Sequence, residues 1–114
     1  MDKKILILDD DKRICNLIAS IIQRNFRYDV YASNDARRSL EEHARAPFDL
    51  VIIDWGLSSM EVSDFLYDLN ETGSRPFICI SCGDTDVSFH DVVINKFLFK
   101  PFTVSDIVEI VNQV

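Results

Sequence analysis

The sequence predicts an α/β protein built on a parallel sheet, and two observations predict it. Short apolar runs that suit strands buried on both faces alternate along the chain with segments whose apolar residues recur at helical spacing. Such alternation is typical of βαβ units with right-handed crossovers. The chain has 114 residues, 47% hydrophobic and 27% charged. That is the size and composition of one globular domain, so we expect residues 1–114 to form a single domain.

The first half of the chain contains the clearest strand and the clearest helix. The strand is a continuous apolar run between two acids, and the helix carries aliphatic residues at the i, i+3, i+4 and i+7 spacing of one buried face. Asp11 is a candidate N-cap for that helix, and Asn34 or Asp35 for the next, because their side-chain oxygens can accept from first-turn amides. The predicted elements are strands at Lys4–Leu8, Tyr28–Ala32 and Asp49–Asp54 and helices at Lys12–Phe26 and Ala36–Arg45.

The second half of the chain is predicted to add a third helix, two more strands and a last helix. Ser58 and Glu61 fit a capping box ahead of the third helix. Thr103 or Ser105 can cap the last helix, which we expect to end near Gln113. The predicted strands are Phe77–Ser81 and Asn95–Phe99.

The charge of the chain excludes some classes of function. The net charge is −7, with +1 in residues 1–48 and −8 in residues 49–114. An acidic surface repels phosphate backbones, so we expect no direct binding of nucleic acid. No apolar run approaches the roughly 20 residues of a membrane span, and the N-terminal apolar run is too short for a signal peptide. We therefore expect a soluble, cytoplasmic protein without a membrane partner.

The three cysteines are predicted to be reduced, since their number is odd and no export signal precedes them. Cys79 and Cys82 have the C-x-x-C spacing of redox motifs. Such motifs usually stand where a strand opens into a helix, which lowers the thiol pKa. Cys79 instead lies inside an apolar strand, so we interpret these cysteines as small buried side chains rather than a redox or metal pair.

Polar side chains stand at the ends of four predicted strands. The first strand ends in Asp9 and Asp10, the third in Asp54, the fourth in Ser81 and the fifth in Lys100. The carboxyl ends of parallel strands share one edge, where ligands bind, and neighbouring strands are only about 4.8 Å apart. Three close carboxylates repel one another, and Mg²⁺, which prefers oxygen ligands, would relieve the repulsion. The hydroxyl and the ammonium can hold a phosphoryl group, and an aspartate can itself accept one.

In this order and spacing, the motifs resemble the receiver domain of two-component response regulators. The resemblance covers nearly the whole chain, from Lys4 to the final helix. Its motifs are the acidic pair, the Asp49–Asp54 strand, the strand end at Ser81 and the Lys100-Pro101-Phe102 sequence, with key residues 44, 27 and 19 positions apart. The resemblance implies a flavodoxin-like, doubly wound sheet of five parallel strands in the order 2-1-3-4-5, with helices on both faces.

The resemblance also implies a magnesium site and a phosphoacceptor. Asp54 would accept a phosphoryl group from a sensor histidine kinase or a phosphotransfer protein, as one step of a phosphorelay. Asp54 and Asp10 would bind Mg²⁺ directly and Asp9 mainly through water. Gly56 would add its backbone carbonyl, which any residue could supply.

The remaining roles implied by the resemblance concern the phosphoryl group and the response to it. Lys100 would pair with the phosphoryl group, and Ser81 would donate its hydroxyl to a phosphoryl oxygen. Phe97 falls at the position of the family's switch aromatic, which turns inward when that hydroxyl moves. The protein would then act as a signalling switch rather than an enzyme, on a downstream protein or an attached output domain.

Each of these residues also has a simpler interpretation. Asp9 and Asp10 could belong to a helix-capping turn, and Asp54 could be a loop acid. Lys100 could be a surface lysine and Ser81 an ordinary strand-end hydroxyl, while Phe97 could belong to the core. Their joint occurrence at strand ends is what favours the functional interpretation.

Two departures from the family pattern keep other functions open. Ser58 and Val62 replace the usual Pro and Gly after the acceptor, and the span between Ser81 and Lys100 is shorter than usual. We expect the helix between the fourth and fifth strands to be short or irregular. The first alternative is a degenerate receiver that acts as a phosphorylation-independent interaction module. The second is a Mg²⁺-dependent phosphohydrolase, although Gly56 stands where such enzymes often place a carboxylate.

Overall fold

The structure, a computed structural model, describes residues 2–83 and 94–114. These residues form a five-stranded parallel sheet with the order β2-β1-β3-β4-β5, which confirms the predicted fold class. The predicted short or irregular helix after Gly83 falls on residues outside the described ranges. The elements are β1 (Lys4–Leu8), α1 (Lys12–Asn25), β2 (Asp29–Ser33), α2 (Ala36–Arg45), β3 (Leu50–Asp54), α3 (Val62–Glu71), β4 (Phe77–Cys82), β5 (Lys96–Phe99) and α4 (Val104–Asn112).

The sheet is buried on both faces, which explains why its strands lack polar alternation. In β1, Ile5 and Ile7 pack against α1 and α4, whereas Leu6 and Leu8 pack with residues of α2 and α3. All four side chains are 0% exposed. A strand covered on both sides has no face for a polar residue, so an uninterrupted apolar run is required.

Side-chain caps fix the starts of three of the described helices. Asp11 caps α1 by accepting from the Arg13 amide at 2.9 Å, and Asp35 caps α2. Thr103 forms a capping box with Asp106 at the start of α4. Each cap satisfies an amide that the helix itself leaves free, and each sets the direction in which the chain leaves the sheet.

The predicted capping box at Ser58 and Glu61 is wrong. Helix α3 begins at Val62, with Glu61 as the N-cap residue and no side-chain hydrogen bond capping it. The backbone amide of Ser58 instead donates to the Asp10 carboxylate, in a different loop. Ser58 therefore lies in the loop and takes no part in capping α3.

The strand register brings the polar strand ends together. Leu8 is in register with Ile53, and Asp54 is in register with Ser81. Asp9 follows Leu8 directly, so it lies beside Asp54 at the same edge of the sheet. Within the described ranges, no helix has the length and apolar character needed to cross a membrane.

Candidate functional site

The polar residues that the strands bring together are Asp9, Asp10, Asp54, Ser81 and Lys100, and we call this group the carboxyl edge. Its centre is the ammonium of Lys100, which donates to Asp54 Oδ1 at 3.1 Å and to Asp9 Oδ2 at 3.4 Å. The backbone amide of Lys100 donates to the carbonyl of Cys82 at 2.8 Å, which extends the β4–β5 pairing. The sheet therefore places one cation between carboxylates that are 91 and 46 residues away in sequence.

The electrostatics of the carboxyl edge show an excess of negative charge. Burial raises the pKa of Asp9, and the charge of Asp54 adds to this, against the opposing effects of the Asp11 amide and Lys100. Burial alone would lower the pKa of Lys100, but its hydrogen bonds and charge interactions with Asp54 and Asp9 raise it. One ammonium thus faces more negative charge than it balances, which favours binding of a further cation.

The carboxylates at this edge are each engaged by the protein itself. Asp9 Oδ1 accepts from the Asp11 amide at 2.8 Å, and Asp10 Oδ2 accepts from the Ser58 amide at 2.9 Å. In the part of the chain that the structure describes, no three His, Cys, Asp or Glu side chains are arranged so as to hold a metal ion. A metal that binds through these oxygens would therefore compete with hydrogen bonds that the protein already makes.

Two further features lie beside Asp54. Ser81 is 1% exposed, and its Oγ makes no hydrogen bond to any residue that the structure describes. A Cβ atom added at Gly56 would lie 3.3 Å from Asp54 Oδ2, so a side chain there would crowd the carboxylate. A buried hydroxyl without a partner costs free energy, and an oxygen-rich ligand at Asp54 would offer it an acceptor.

Phe97 is partly buried and packs against the core that covers the α2–α3 face of the sheet. Its ring stacks with that of Phe99, with centroids 6.2 Å apart, and Phe99 is 48% exposed. Along β5, Phe97 pairs in register with Ile80, one residue before Ser81. The position predicted for the switch aromatic therefore lies on the strand next to the unpaired hydroxyl.

Sequence reasoning missed the contacts made by the loop after Asp54. We call residues 55–61 the acceptor loop. Ser58 holds Asp10 through its amide, and Ser59 Oγ accepts from the Ala36 amide at 3.1 Å, at the start of α2. The sequence signal for the contact with Asp10 is that residue 58 is not a proline, because proline has no amide hydrogen to donate.

All three cysteines are free and buried. Burial raises the pKa of Cys79 to about 12, against a smaller opposing effect of Lys96. Thiolates are the reactive form of cysteine, so this environment makes Cys79 inert at neutral pH. The structure agrees with the interpretation of Cys79 and Cys82 as buried side chains.

The chain belongs to the response regulator receiver domain family, because the model of that family matches residues 5–112. It resembles the regulatory protein VanRB of Enterococcus faecalis, with 25% identity over 105 residues, which are 90% of this chain and 47% of the relative. It also resembles the nisin biosynthesis regulatory protein NisR of Lactococcus lactis, with 26% identity over 108 residues, 92% of this chain and 47% of the relative. The chain thus spans about half the length of these curated relatives.

Solved structures show the same fold. A CheY-like response regulator receiver domain protein from Methanospirillum hungatei has a TM-score of 0.86 at 22% identity, over 99% of this chain and 93% of that chain. The chemotaxis response regulator CheY4 of Vibrio cholerae has a TM-score of 0.85 at 21% identity, over 99% of this chain and 98% of that chain. Receiver domains are signalling domains of two-component systems, and their class is generally not enzymatic.

Proposed function

We propose that this domain is a phosphoacceptor switch in the cytoplasm, with Asp54 as the acceptor and a phosphohistidine of a sensor kinase or phosphotransfer protein as the donor. The observation that carries the proposal is the position of Lys100, which contacts Asp54 and Asp9 at once. An ammonium between two carboxylates is placed to follow negative charge as it moves onto a phosphoryl group.

The residues of the carboxyl edge fit magnesium by their chemistry. Asp9, Asp10 and Asp54 supply carboxylate oxygens, and Gly56 has a backbone carbonyl beside the acceptor, all of them oxygen donors of the kind Mg²⁺ prefers. The repulsion between Asp9 and Asp54 is the second reason, since it adds to burial, the larger cause, in raising the pKa of Asp9. When bound, Mg²⁺ would supply positive charge that offsets the repulsion between the carboxylates and an incoming phosphoryl group.

Transfer would proceed by displacement at phosphorus. A carboxylate oxygen of Asp54 forms the new P–O bond while the P–N bond to the donor imidazole breaks. The imidazole leaves with the electron pair of that bond and takes up a proton. Lys100 then exchanges a carboxylate contact for a contact with a phosphoryl oxygen. Ser81, whose hydroxyl has no partner among the described residues, donates that hydroxyl to another phosphoryl oxygen.

Movement of Ser81 toward the phosphoryl group would leave space beside β5. We propose that Phe97 turns into this space, since its strand is adjacent and its ring is only partly buried. The exposed Phe99 ring stacks on Phe97, so this turn would change the surface of β5. A downstream protein or an attached output domain would detect the altered surface.

Phosphorylation of the protein with a small donor tests the proposal. Wild-type protein incubated with Mg²⁺ and acetyl phosphate should gain the mass of one phosphoryl group, and Asp54→Asn should gain none. Asp29→Asn, which removes an exposed aspartate at the start of β2, is the matched control and should behave as wild type. Absence of any wild-type adduct would favour the degenerate interaction module instead. Continuous release of phosphate from unrelated monoesters would indicate a phosphohydrolase.

A further inference from the structure

The contact between Asp10 and Ser58 has a consequence for metal binding. Asp10 Oδ2 accepts from the Ser58 amide at 2.9 Å, across 48 residues of sequence. Hydrogen bonds to a charged group are stronger than those between neutral groups. A cation that binds Asp10 through this oxygen must displace the amide or share the carboxylate with it.

The acceptor loop holds this amide in place from both sides. On one side, Leu57 is 7% exposed, and its amide donates to the Asp54 carbonyl at 3.2 Å. On the other side, Ser59 Oγ accepts from the Ala36 amide at 3.1 Å and ties the loop to α2. Ala36 is itself 0% exposed. Because both neighbours are anchored, the Ser58 amide is presented to Asp10 by the fold.

We propose that the backbone amide of Ser58 sets the magnesium affinity of the carboxyl edge by competing with the metal for the carboxylate of Asp10. The inference rests on the proposed function, since it assumes that Mg²⁺ binds at this edge. Metal binding would free the Ser58 amide from Asp10. The acceptor loop would then lose its link to the β1–α1 turn while it keeps the link from Ser59 to α2.

A magnesium titration of two variants separates the effect of the Ser58 amide on metal affinity from the effect of the Ser58 side chain. Ser58→Pro removes the amide hydrogen, whereas Ser58→Ala keeps it and removes only the hydroxyl. The chain has one tryptophan, Trp55, next to the acceptor, so its fluorescence can report binding. We expect Ser58→Pro to bind Mg²⁺ about tenfold more tightly than wild type, from the loss of one charge-assisted hydrogen bond, and Ser58→Ala to match wild type.

Equal affinities of Ser58→Pro and Ser58→Ala would overturn the inference while leaving the proposed function standing. No response to Mg²⁺ in any of the three proteins would overturn both. A response in Ser58→Pro alone would support the inference in its strongest form, because the amide would then block the site in the wild type.

Amide hydrogen exchange in the wild-type protein gives a second measurement that does not depend on folding of the proline variant. Saturating Mg²⁺ should speed exchange at Ser58. The Ala36 amide, held by Ser59, should keep its protection and serves as the internal control. Unchanged protection of Ser58 under saturating Mg²⁺ would show that the metal binds without displacing the amide, which would overturn the inference.

Discussion

A lysine ammonium contacts carboxylate at each of the two ends of the parallel strands, and the two lysines differ in the number and length of these contacts. At the amino edge, which we define by Lys4, Glu42, His43, Ala46 and Phe48, the ammonium of Lys4 donates to Glu42 Oε1 and to the Ala46 carbonyl, both at 2.8 Å. It also lies 4.8 Å from the centroid of the Phe48 ring. Both of these hydrogen bonds from the Lys4 ammonium are short.

The carboxyl edge is less well satisfied. Lys100 makes longer contacts, at 3.1 Å and 3.4 Å, and the hydroxyl of Ser81 has no hydrogen-bond partner among residues 2–83 and 94–114. Lys4 has short hydrogen bonds, whereas the carboxyl edge combines longer contacts with a buried hydroxyl that has no partner in the described part of the chain. These are the features on which our proposal of a ligand site at the carboxyl edge rests.

The largest difference between the two lysines should appear in phosphorylation. We expect Lys100→Met to lower the rate of phosphorylation by acetyl phosphate about 100-fold, because one preorganised charge at the reacting group is lost. Lys4→Met should leave that rate within a factor of about two, since Lys4 lies at the opposite edge. Rates from intact-mass time courses check this, and equal rates in the two variants would remove the functional distinction between the edges.

Removing a carboxylate should change stability in opposite directions at the two edges. Asp9→Asn should raise the free energy of unfolding at pH 7, because burial and the charge of Asp54 both disfavour the ionised carboxylate of Asp9. Glu42→Gln should lower that free energy, because Lys4 loses its carboxylate partner. Urea denaturation of the two variants and the wild type measures the sign of each change in the free energy of unfolding.

The pH dependence of these differences follows from the two pKa shifts. The pKa of Asp9 is raised, so its ionised form costs stability above the folded-state pKa, and this cost disappears as pH falls toward 3.8. The hydrogen bond from Lys4 lowers the pKa of Glu42, so its contribution is present above 4.5 and is lost as pH falls through the folded-state pKa. The gain in Asp9→Asn and the loss in Glu42→Gln should therefore both vanish in acid. A difference that persists at low pH would point to packing rather than charge.

The smallest predicted effect concerns His43 at the amino edge. Its Nδ1 accepts from the Phe48 amide at 3.1 Å, and burial lowers the pKa of His43, while the Ser74 backbone opposes that shift. In the unfolded chain, His43 therefore takes up a proton near pH 6.5, whereas in the folded chain it is protonated only at lower pH. The free energy of unfolding therefore decreases as the pH is lowered through this range. Between pH 7 and pH 6 the loss should be at most about 0.7 kcal/mol.

The control for this prediction is His43→Asn, whose side-chain oxygen can still accept from the Phe48 amide. We expect this variant to lose stability overall but to show a flatter dependence on pH between 7 and 6. An equal slope in the variant and the wild type would assign the pH dependence to other groups.

Much of the fold could be predicted from the sequence because its signals are local. Helix α2 has the predicted bounds, and strand β1 matches its apolar run. Strand β2 is shifted by one residue from the prediction, and the strand before α4 begins at Lys96 rather than Asn95. These small errors occur at element ends, where hydrogen bonds to neighbouring strands decide the boundary and local propensity does not.

The sequence by itself determined which segments form strands and helices, which strands end in acids and where the hydroxyl and the lysine stand, because period and strand length are properties of short segments. Only the tertiary structure decided which partners these groups contact. Lys100 lies between two carboxylates, and the amide of Ser58 holds Asp10 rather than starting a helix. The physical reason is that hydrogen bonds and charges depend on distance in space. Their partners come from strands and loops far apart in the chain, and folding alone brings them within reach.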